Sequence, residues 1–445
     1  MKKGKLVLVV VVAILAVAFV LPACGPGEVT PPVTPVTPVT PVTEKPDKIV
    51  YGSICDWSGP YAVIVGPCRL GILDALQYFN EELGGVAGVP VEFLPGDTEG
   101  KLENAVAHYS RFRVHEPKPL WMGMMDAQVG QALHDRLADD HIVGLSTAPE
   151  SVYPAANTFG IYQPYPTLFG HWLEFAVNKW REAGHTEAPK LATFGWETTF
   201  GRSTLNDASR KYIEELGVEL VSEYYYSSGT VDVTPYIADA REKDANFTYN
   251  TTVLSCLVVQ LRGMKEQGWK PFMNGTVCFG QGMCNIAGEL AAEYEMYAGQ
   301  LVPSWQEDTP ATRKLDEFFR KSGWSNLKDR GAFYMIGWLD CLIFKRVVED
   351  TVARVGWENV NDVEIKKTIL SYTEAFPVTL EDSTLGYWGG FDADIPEYHH
   401  NYCVLQQARE DPSGRFGSNW GAYPVTPWEP HVQLISESMR KYGHD

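Results

Sequence analysis

From Ile49 onward the chain alternates short β-type runs with stretches of helical periodicity, and this alternation confines it to an α/β fold with parallel sheets and right-handed crossovers. Residues 49–54 form the first β-type run, and a turn through Ser58-Gly59-Pro60 follows. Leu70, Leu73, Leu76, Phe79 and Leu83 then recur at three- and four-residue spacing, which predicts one apolar helix face ending at Gly84-Gly85. Val89, Val91 and Phe93 alternate as a strand, and Leu102, Val106 and Tyr109 begin the next helix. The rhythm continues through a strand over 120–123, a helix over 129–137 and a strand over 142–145.

A second series starts beyond Pro164 and Pro166, which interrupt the periodicity where a crossing between domains is expected. It comprises a strand over 191–195, a helix over 201–216, a strand over 218–226, a helix from Thr234 and a strand over 246–251. Helices around 315–319 and 333–348 remain for one half or both. A length of 445 residues, against roughly 150 per domain, agrees with two or three compact units.

The N-terminus has the pattern of an export signal. Lys2, Lys3 and Lys5 precede an uncharged apolar run over 6–21, which is short for a permanent membrane helix, the alternative reading. The run ends at Leu21-Pro22-Ala23-Cys24, which resembles a bacterial lipobox and implies cleavage before Cys24 and acylation of its thiol. Four Pro-Val-Thr triplets over 32–43 favour extended polyproline II, so the stretch before the folded body reads as a tether reaching about 60 Å. Seven cysteines remain: Cys55, Cys68, Cys256, Cys278, Cys284, Cys341 and Cys403. Export permits disulfides and an odd count leaves at least one thiol over, so buried free thiols and one or two bridges both stand open. Cys55 and Cys68, one at the end of the first strand and one near the following helix, form the candidate disulfide, which requires Cα atoms within about 7 Å.

The formal charge of −19 and the absence of a basic stripe argue against nucleic-acid partners. No G-x-S-x-G elbow, G-x-x-x-x-G-K-[ST] loop or H-E-x-x-H helix is present, so no enzymatic chemistry, metal or cofactor is expected. His399-His400 beside Glu397, and Asp392-Ala393-Asp394, read as ordinary loop residues.

Several motifs follow one another in an order that resembles one family. The run 49–62, Ile-Val-Tyr-Gly-Ser-Ile-Cys-Asp-Trp-Ser-Gly-Pro-Tyr-Ala, looks like the opening strand and Ser-Gly-Pro-x-Ala turn of leucine/isoleucine/valine-type periplasmic binding proteins. Gly84-Gly85-Val86-x-Gly88-x-Pro90-Val91, Thr199-Phe200-Gly201-Arg202-Ser203 and the turn from Gly386 to Asp394 resemble later motifs, so the similarity covers about residues 48–407.

This resemblance implies two Rossmann-like lobes with central parallel sheets, joined by a three-strand hinge with a ligand cleft between them. The N-terminal pattern gives a signal peptide over 1–23 and a tether over 24–46, and the resemblance implies lobe 1 over 47–163 plus 302–400 and lobe 2 over 164–301 plus 401–445. The crossings fall near 162–166, near 299–302 and near Asn401. The function implied is capture of a small amino-acid-like, amide or polar aromatic solute, delivered to an ABC permease and ATPase complex from the cell surface or periplasm of a prokaryote, with the lipid on Cys24 holding the membrane. A ligand-sensing lipoprotein and a surface enzyme on the same scaffold are the competing readings.

Residue by residue, the family's carboxylate-binding serine falls near Asp126-Ala127-Gln128, where alanine cannot donate that bond. Its next contact loop falls on Ser146, Thr147, Ala148 and Glu150; its ammonium-binding acid falls near Thr276 to Cys278, which is not acidic. Phe200 and Phe333 match aromatic walls or are core aromatics, Trp57 and Ser58 sit at the first strand's end as pocket candidates, and Asp126 and Glu150 are ligand contacts or helix caps. The altered clamp makes a standard branched-chain amino acid a poor expectation. At the N-terminus, Cys24→Ala is expected to release the protein from membranes or leave it unprocessed; mass spectrometry of the mature N-terminus from the native host checks this, and an unmodified start elsewhere would overturn it.

Overall fold

The computed structural model describes residues 45–147, 157–161, 163–278, 280–326, 330–391, 402–413, 416, 419–430 and 434. Cys24, the signal and tether segments, Ala148, Glu150, Tyr162, His399, His400 and Asn401 lie outside the described residues. The first sheet has the order β2-β1-β3-β4-β5 and is parallel throughout. Its strands are β1 (Ile49–Cys55), β2 (Val91–Asp97), β3 (Trp121–Met124), β4 (Val143–Ser146) and β5 (Thr158–Gly160). Helices α1 (Ala62–Glu82), α2 (Leu102–Phe112) and α3 (Ala127–Asp139) connect them.

After Gly160 the chain enters α4 (Tyr165–Glu182) and builds the second sheet. Its parallel strands are β6 (Lys190–Trp196), β7 (Glu219–Tyr226), β8 (Phe247–Thr251), β9 (Met273–Thr276) and β10 (Met296–Gln300). Between them lie α5 (Thr199–Arg202), α6 (Asp207–Glu215), α7 (Thr234–Glu242), α8 (Leu254–Glu266) and α9 (Gln281–Glu293). The chain then returns through α10 (Pro310–Lys321), α11 (Ala332–Val355), α12 (Asp362–Leu370) and the antiparallel hairpin β11 (Ala375–Leu380) and β12 (Ser383–Gly389). Finally β13 (Tyr402–Glu410) and β14 (Trp420–Pro424) extend the second sheet antiparallel beyond β10, with β15 (Glu429–Pro430) against β13. Two lobes of Rossmann-like construction result, as the sequence rhythm predicts.

Local chemistry moves several expected boundaries. The first helix begins at Ala62 rather than near Leu70, and its buried face runs through Ile64, Val65, Cys68, Ile72, Ala75, Leu76 and Phe79. The helix expected over 201–216 is broken into α5 and α6. Asn206 Oδ1 accepts the Ser209 N–H at 2.7 Å while Ser209 Oγ accepts the Asn206 N–H at 2.9 Å, a reciprocal cap that starts α6 afresh. The expected Cys55–Cys68 disulfide is also corrected: both are free buried thiols. Cys55 Sγ instead accepts the Met125 N–H at 3.1 Å under the first sheet, and Cys68 sits on α1 facing α11. All seven cysteines after Cys24 are buried.

Beneath the first sheet, α1 and α11 approach so closely that a Cβ on Gly71 would lie 2.0 Å from the Tyr334 carbonyl oxygen, and one on Gly337 2.2 Å from that of Cys68. Asp74 locks this pair: its carboxylate accepts from Tyr334 Oη at 2.6 Å, Ser322 Oγ at 2.5 Å and Trp324 Nε1 at 2.9 Å. Deeper still, Asp340 on α11 is fully buried and accepts from Trp121 Nε1 at 3.1 Å. Burial pushes its carboxyl up to about 7, against the hydrogen bonds from Tyr51 and Trp121. Between about pH 4 and pH 7 the folded protein therefore keeps a proton that the unfolded chain releases, and stability falls as pH rises through that window. Asp340→Asn, which keeps the acceptor for Trp121, is expected to gain stability over the parent as pH rises from 4 to 7, by on the order of a few kcal/mol. Urea unfolding of both proteins across that range measures the difference.

Candidate functional site

Six loops that leave the C-terminal ends of strands meet between the lobes. From the first sheet, Tyr61 follows β1, Met125, Asp126 and Ala127 follow β3, and Thr147 follows β4; from the second, Phe200 follows β6, Val253 follows β8, and Val277 and Cys278 follow β9. Together with Ile64 and Val65 of α1, Tyr165 of α4 and Phe333 of α11 they line a cavity of about 460 Å³, counted with the solvent space at its mouth. The carboxyl edge of parallel sheets is where such folds place ligands, because strand ends and helix starts leave unpaired backbone groups there.

Asp126 is the one charged group among the described lining residues. It is the N-cap of α3, where its Oδ1 accepts the Gln128 N–H at 2.9 Å. Burial raises its carboxyl to about 6, opposed by the backbone bonds from Gln128 and Val129 and reinforced by Asp56. Around it stand aromatic edges: Tyr61 meets Phe200 at 6.1 Å and Trp196 at 5.4 Å between ring centroids, and Tyr165 meets Phe200 at 5.4 Å. Burial lifts the Tyr61 hydroxyl to about 12 despite hydrogen bonds with Thr198 and Gln128, so both tyrosines stay neutral donors at physiological pH. The starts of α1, α8, α9 and α11 carry no side-chain cap, in contrast to α3.

The lobes also touch directly at this rim. Tyr61 Oη donates to Thr198 Oγ1 at 3.2 Å, and Thr199 Oγ1 donates to Gln131 Oε1 at 3.2 Å. Thr198 Oγ1 in turn accepts the Gly201 N–H at 3.1 Å, which fixes the start of α5 and the direction of Phe200.

Of the residues expected from sequence, Asp126, Ala127, Thr147, Phe200 and Phe333 line the cavity together. Ser146 is buried one position earlier, with its Oγ donating to the Thr147 carbonyl at 3.0 Å. Gln128 reaches the Tyr61 hydroxyl with its side chain. Thr276 is sealed inside β9, its Oγ1 accepting the Cys278 N–H at 3.1 Å. Trp57 and Ser58 are corrected as cavity candidates. The Trp57 N–H is bound by Asp97 Oδ1 at 2.9 Å, which turns the indole onto Phe93 at 6.4 Å and under Arg69 at 5.1 Å, and Ser58 is exposed and bonded to Asp97.

Sequence reasoning missed Tyr61, Ile64, Val65, Met125, Tyr165 and Val253, while Val277 and Cys278 lay in the segment 276–278 where it found only the lack of an acid. Met125 and Val253 stand just past strand ends that the sequence predicts, a signal that could have found them. Tyr165 lay hidden between the two prolines that mark the crossing.

A cavity between the facing strand ends of two parallel sheets is the arrangement of a two-lobed solute-binding protein. The chain belongs to the periplasmic binding protein family, whose model matches residues 48–369. Similar solved structures include a branched-chain amino acid ABC transporter protein from Thermus thermophilus with bound valine, at TM-score 0.71 and 18% identity, covering 89% of this chain and 98% of that one. A fatty acid ABC transporter substrate-binding protein from Thermomonospora curvata matches at TM-score 0.68 and 17% identity over 90% and 95% of the two chains. A solute-binding protein from Rhodopseudomonas palustris in complex with p-hydroxybenzoic acid matches at 0.66 and 15% over 87% and 98%. No curated protein sequence matches significantly. Membership makes the chain an extracytoplasmic binding protein, not an enzyme.

The Asp126 carboxyl is expected to titrate near pH 6 in the empty protein. Carbon-13 NMR of labelled aspartate, with Asp126→Asn to assign the signal, checks this; asparagine remains a competent N-cap, so α3 is expected to persist in the variant.

Proposed function

We propose that the cleft captures a solute whose polar end donates hydrogen bonds, an amine or amide, and whose body is apolar or aromatic. The protein then delivers it to an ABC permease and ATPase complex while the lipid on Cys24 and the Pro-Val-Thr tether hold it at the membrane. The observation that carries this reading is the makeup of the cavity. One carboxylate faces a wall of aromatic and aliphatic side chains, and none of the described lining residues is Lys, Arg or His.

An ammonium beside Asp126 gains a charge-assisted hydrogen bond and lies near the edges and faces of Tyr61, Tyr165 and Phe200. An amide donates to the same carboxylate without needing a charge. Ala127 supplies no hydroxyl for a carboxylate at the position where the family resemblance places one. Leucine, isoleucine and valine therefore lack one of their expected holds.

Mass spectrometry of solute released from protein purified from its native host identifies the ligand class. Calorimetry with phenethylamine, a ring joined to an ammonium, tests the chemistry directly. Its affinity is expected to hold above about pH 6 and to fall tenfold per unit below it, as Asp126 takes up a proton and loses its charge. Asp126→Asn is expected to weaken binding by about 10- to 100-fold at pH 8 and to abolish the pH slope. Submicromolar binding of leucine, isoleucine or valine, or an unchanged affinity in Asp126→Asn, would overturn the reading.

A further inference from the structure

A second cavity adjoins the first. It is lined by Val63 and Pro67 of α1, Leu254 at the start of α8, Met283 of α9 and Ala332 of α11, with Gly280, Gly282 and Gly331 between them. Ile64, Cys278 and Phe333 line both cavities, so the two share a wall made of three side chains. The second is smaller, about 300 Å³ counted with the solvent space at its mouth, and no described lining residue brings a polar or charged side chain, so its walls suit an alkyl chain. Its floor is tight, since a Cβ on Gly280 would come 3.3 Å from the Cβ of Ala332 across the interface of the lobes.

We infer that the solute is elongated, with its donor end at Asp126 and an aliphatic chain that passes Ile64, Cys278 and Phe333 into this second chamber. The inference rests on the assignment of Asp126 as the polar anchor and adds the shape and chemistry of the rest of the ligand. A compact solute fills the first cavity and leaves the second, which has no polar side chain among its described lining residues, unfilled. A chain buries its methylenes there against Val63, Leu254 and Met283. Both lobes supply walls to the chamber, so a chain lying there also contributes to holding them closed.

The test is a homologous series of n-alkylamines from propylamine to octylamine, measured by calorimetry at pH 8 on the full folded protein. The head group is constant, so Asp126 contributes equally throughout. Affinity is expected to rise about three- to fourfold for each added methylene over at least three steps, then level off when the chamber is full. Val63→Trp places an indole in the chamber from a partly exposed position and is expected to lower the octylamine-to-propylamine affinity ratio at least tenfold. Leu254→Trp, from the facing helix, gives the same readout should circular dichroism show the first variant misfolded. A flat series, or an affinity ratio that neither variant changes, would overturn the inference. If propylamine binds with full dependence on Asp126 while the series is flat, the polar anchor stands and the elongated ligand fails. If no amine binds and Asp126→Asn changes nothing, the anchor fails and the inference with it.

Discussion

The near contact of α1 with α11 is the constraint from which the cleft follows. Each helix offers a glycine at the crossing, Gly71 and Gly337, and at both points the partner's main-chain carbonyl occupies the place of a side chain. Helices that packed through ordinary side chains would stand 8–10 Å apart; here backbone meets backbone, and the buried Asp74 carboxylate ties α1 to Ser322, Trp324 and Tyr334 on the returning chain. The two helices start on the same rim, so their first turns bring Tyr61, Ile64 and Val65 beside Phe333 at the mouth between the lobes. A segment about 270 residues distant thereby completes a site otherwise built from strand ends.

Two buried carboxylates show how similar electrostatics serve different ends. Asp340 and Asp126 are both raised chiefly by loss of water. Asp340 is sealed among Tyr51 and Trp121, and its proton exchanges with folding alone. Asp126 sits at the start of a helix and at the wall of a cavity, where a ligand can take over the role of counter-charge. Position at the cleft, rather than the size of the shift, distinguishes the group proposed to meet a ligand from the one sealed in the core.

The alternation of strand and helix was legible because period 2 and period 3.6 leave distinct apolar patterns. Asp126, Ala127, Thr147, Phe200 and Phe333 came within reach by another route, the family resemblance that aligned them with contact positions; periodicity alone does not single them out. What failed depended on single side-chain contacts that no periodicity records. Asn206 and Ser209 cap each other and split one helix into two. Asp97 captures the backbone of Trp57 and turns its ring away from the cleft. Cys55 and Cys68 are close in sequence, yet the sulfur of Cys55 is committed to the Met125 N–H. The antiparallel additions β13 and β14 depend on pairing with β10 about a hundred residues earlier, information that a local pattern does not carry.

The contacts that bridge the rim have a further consequence for the empty protein. Tyr61 with Thr198 and Gln131 with Thr199 are hydrogen bonds between uncharged groups, each with a net stability of about 1 kcal/mol. Bonds this weak leave much of the hold between the lobes to the side chains around them, where Tyr61 packs edge-on against Trp196 and Phe200. Whatever enters between those rings therefore acts on the seam itself as well as on the cavity behind it.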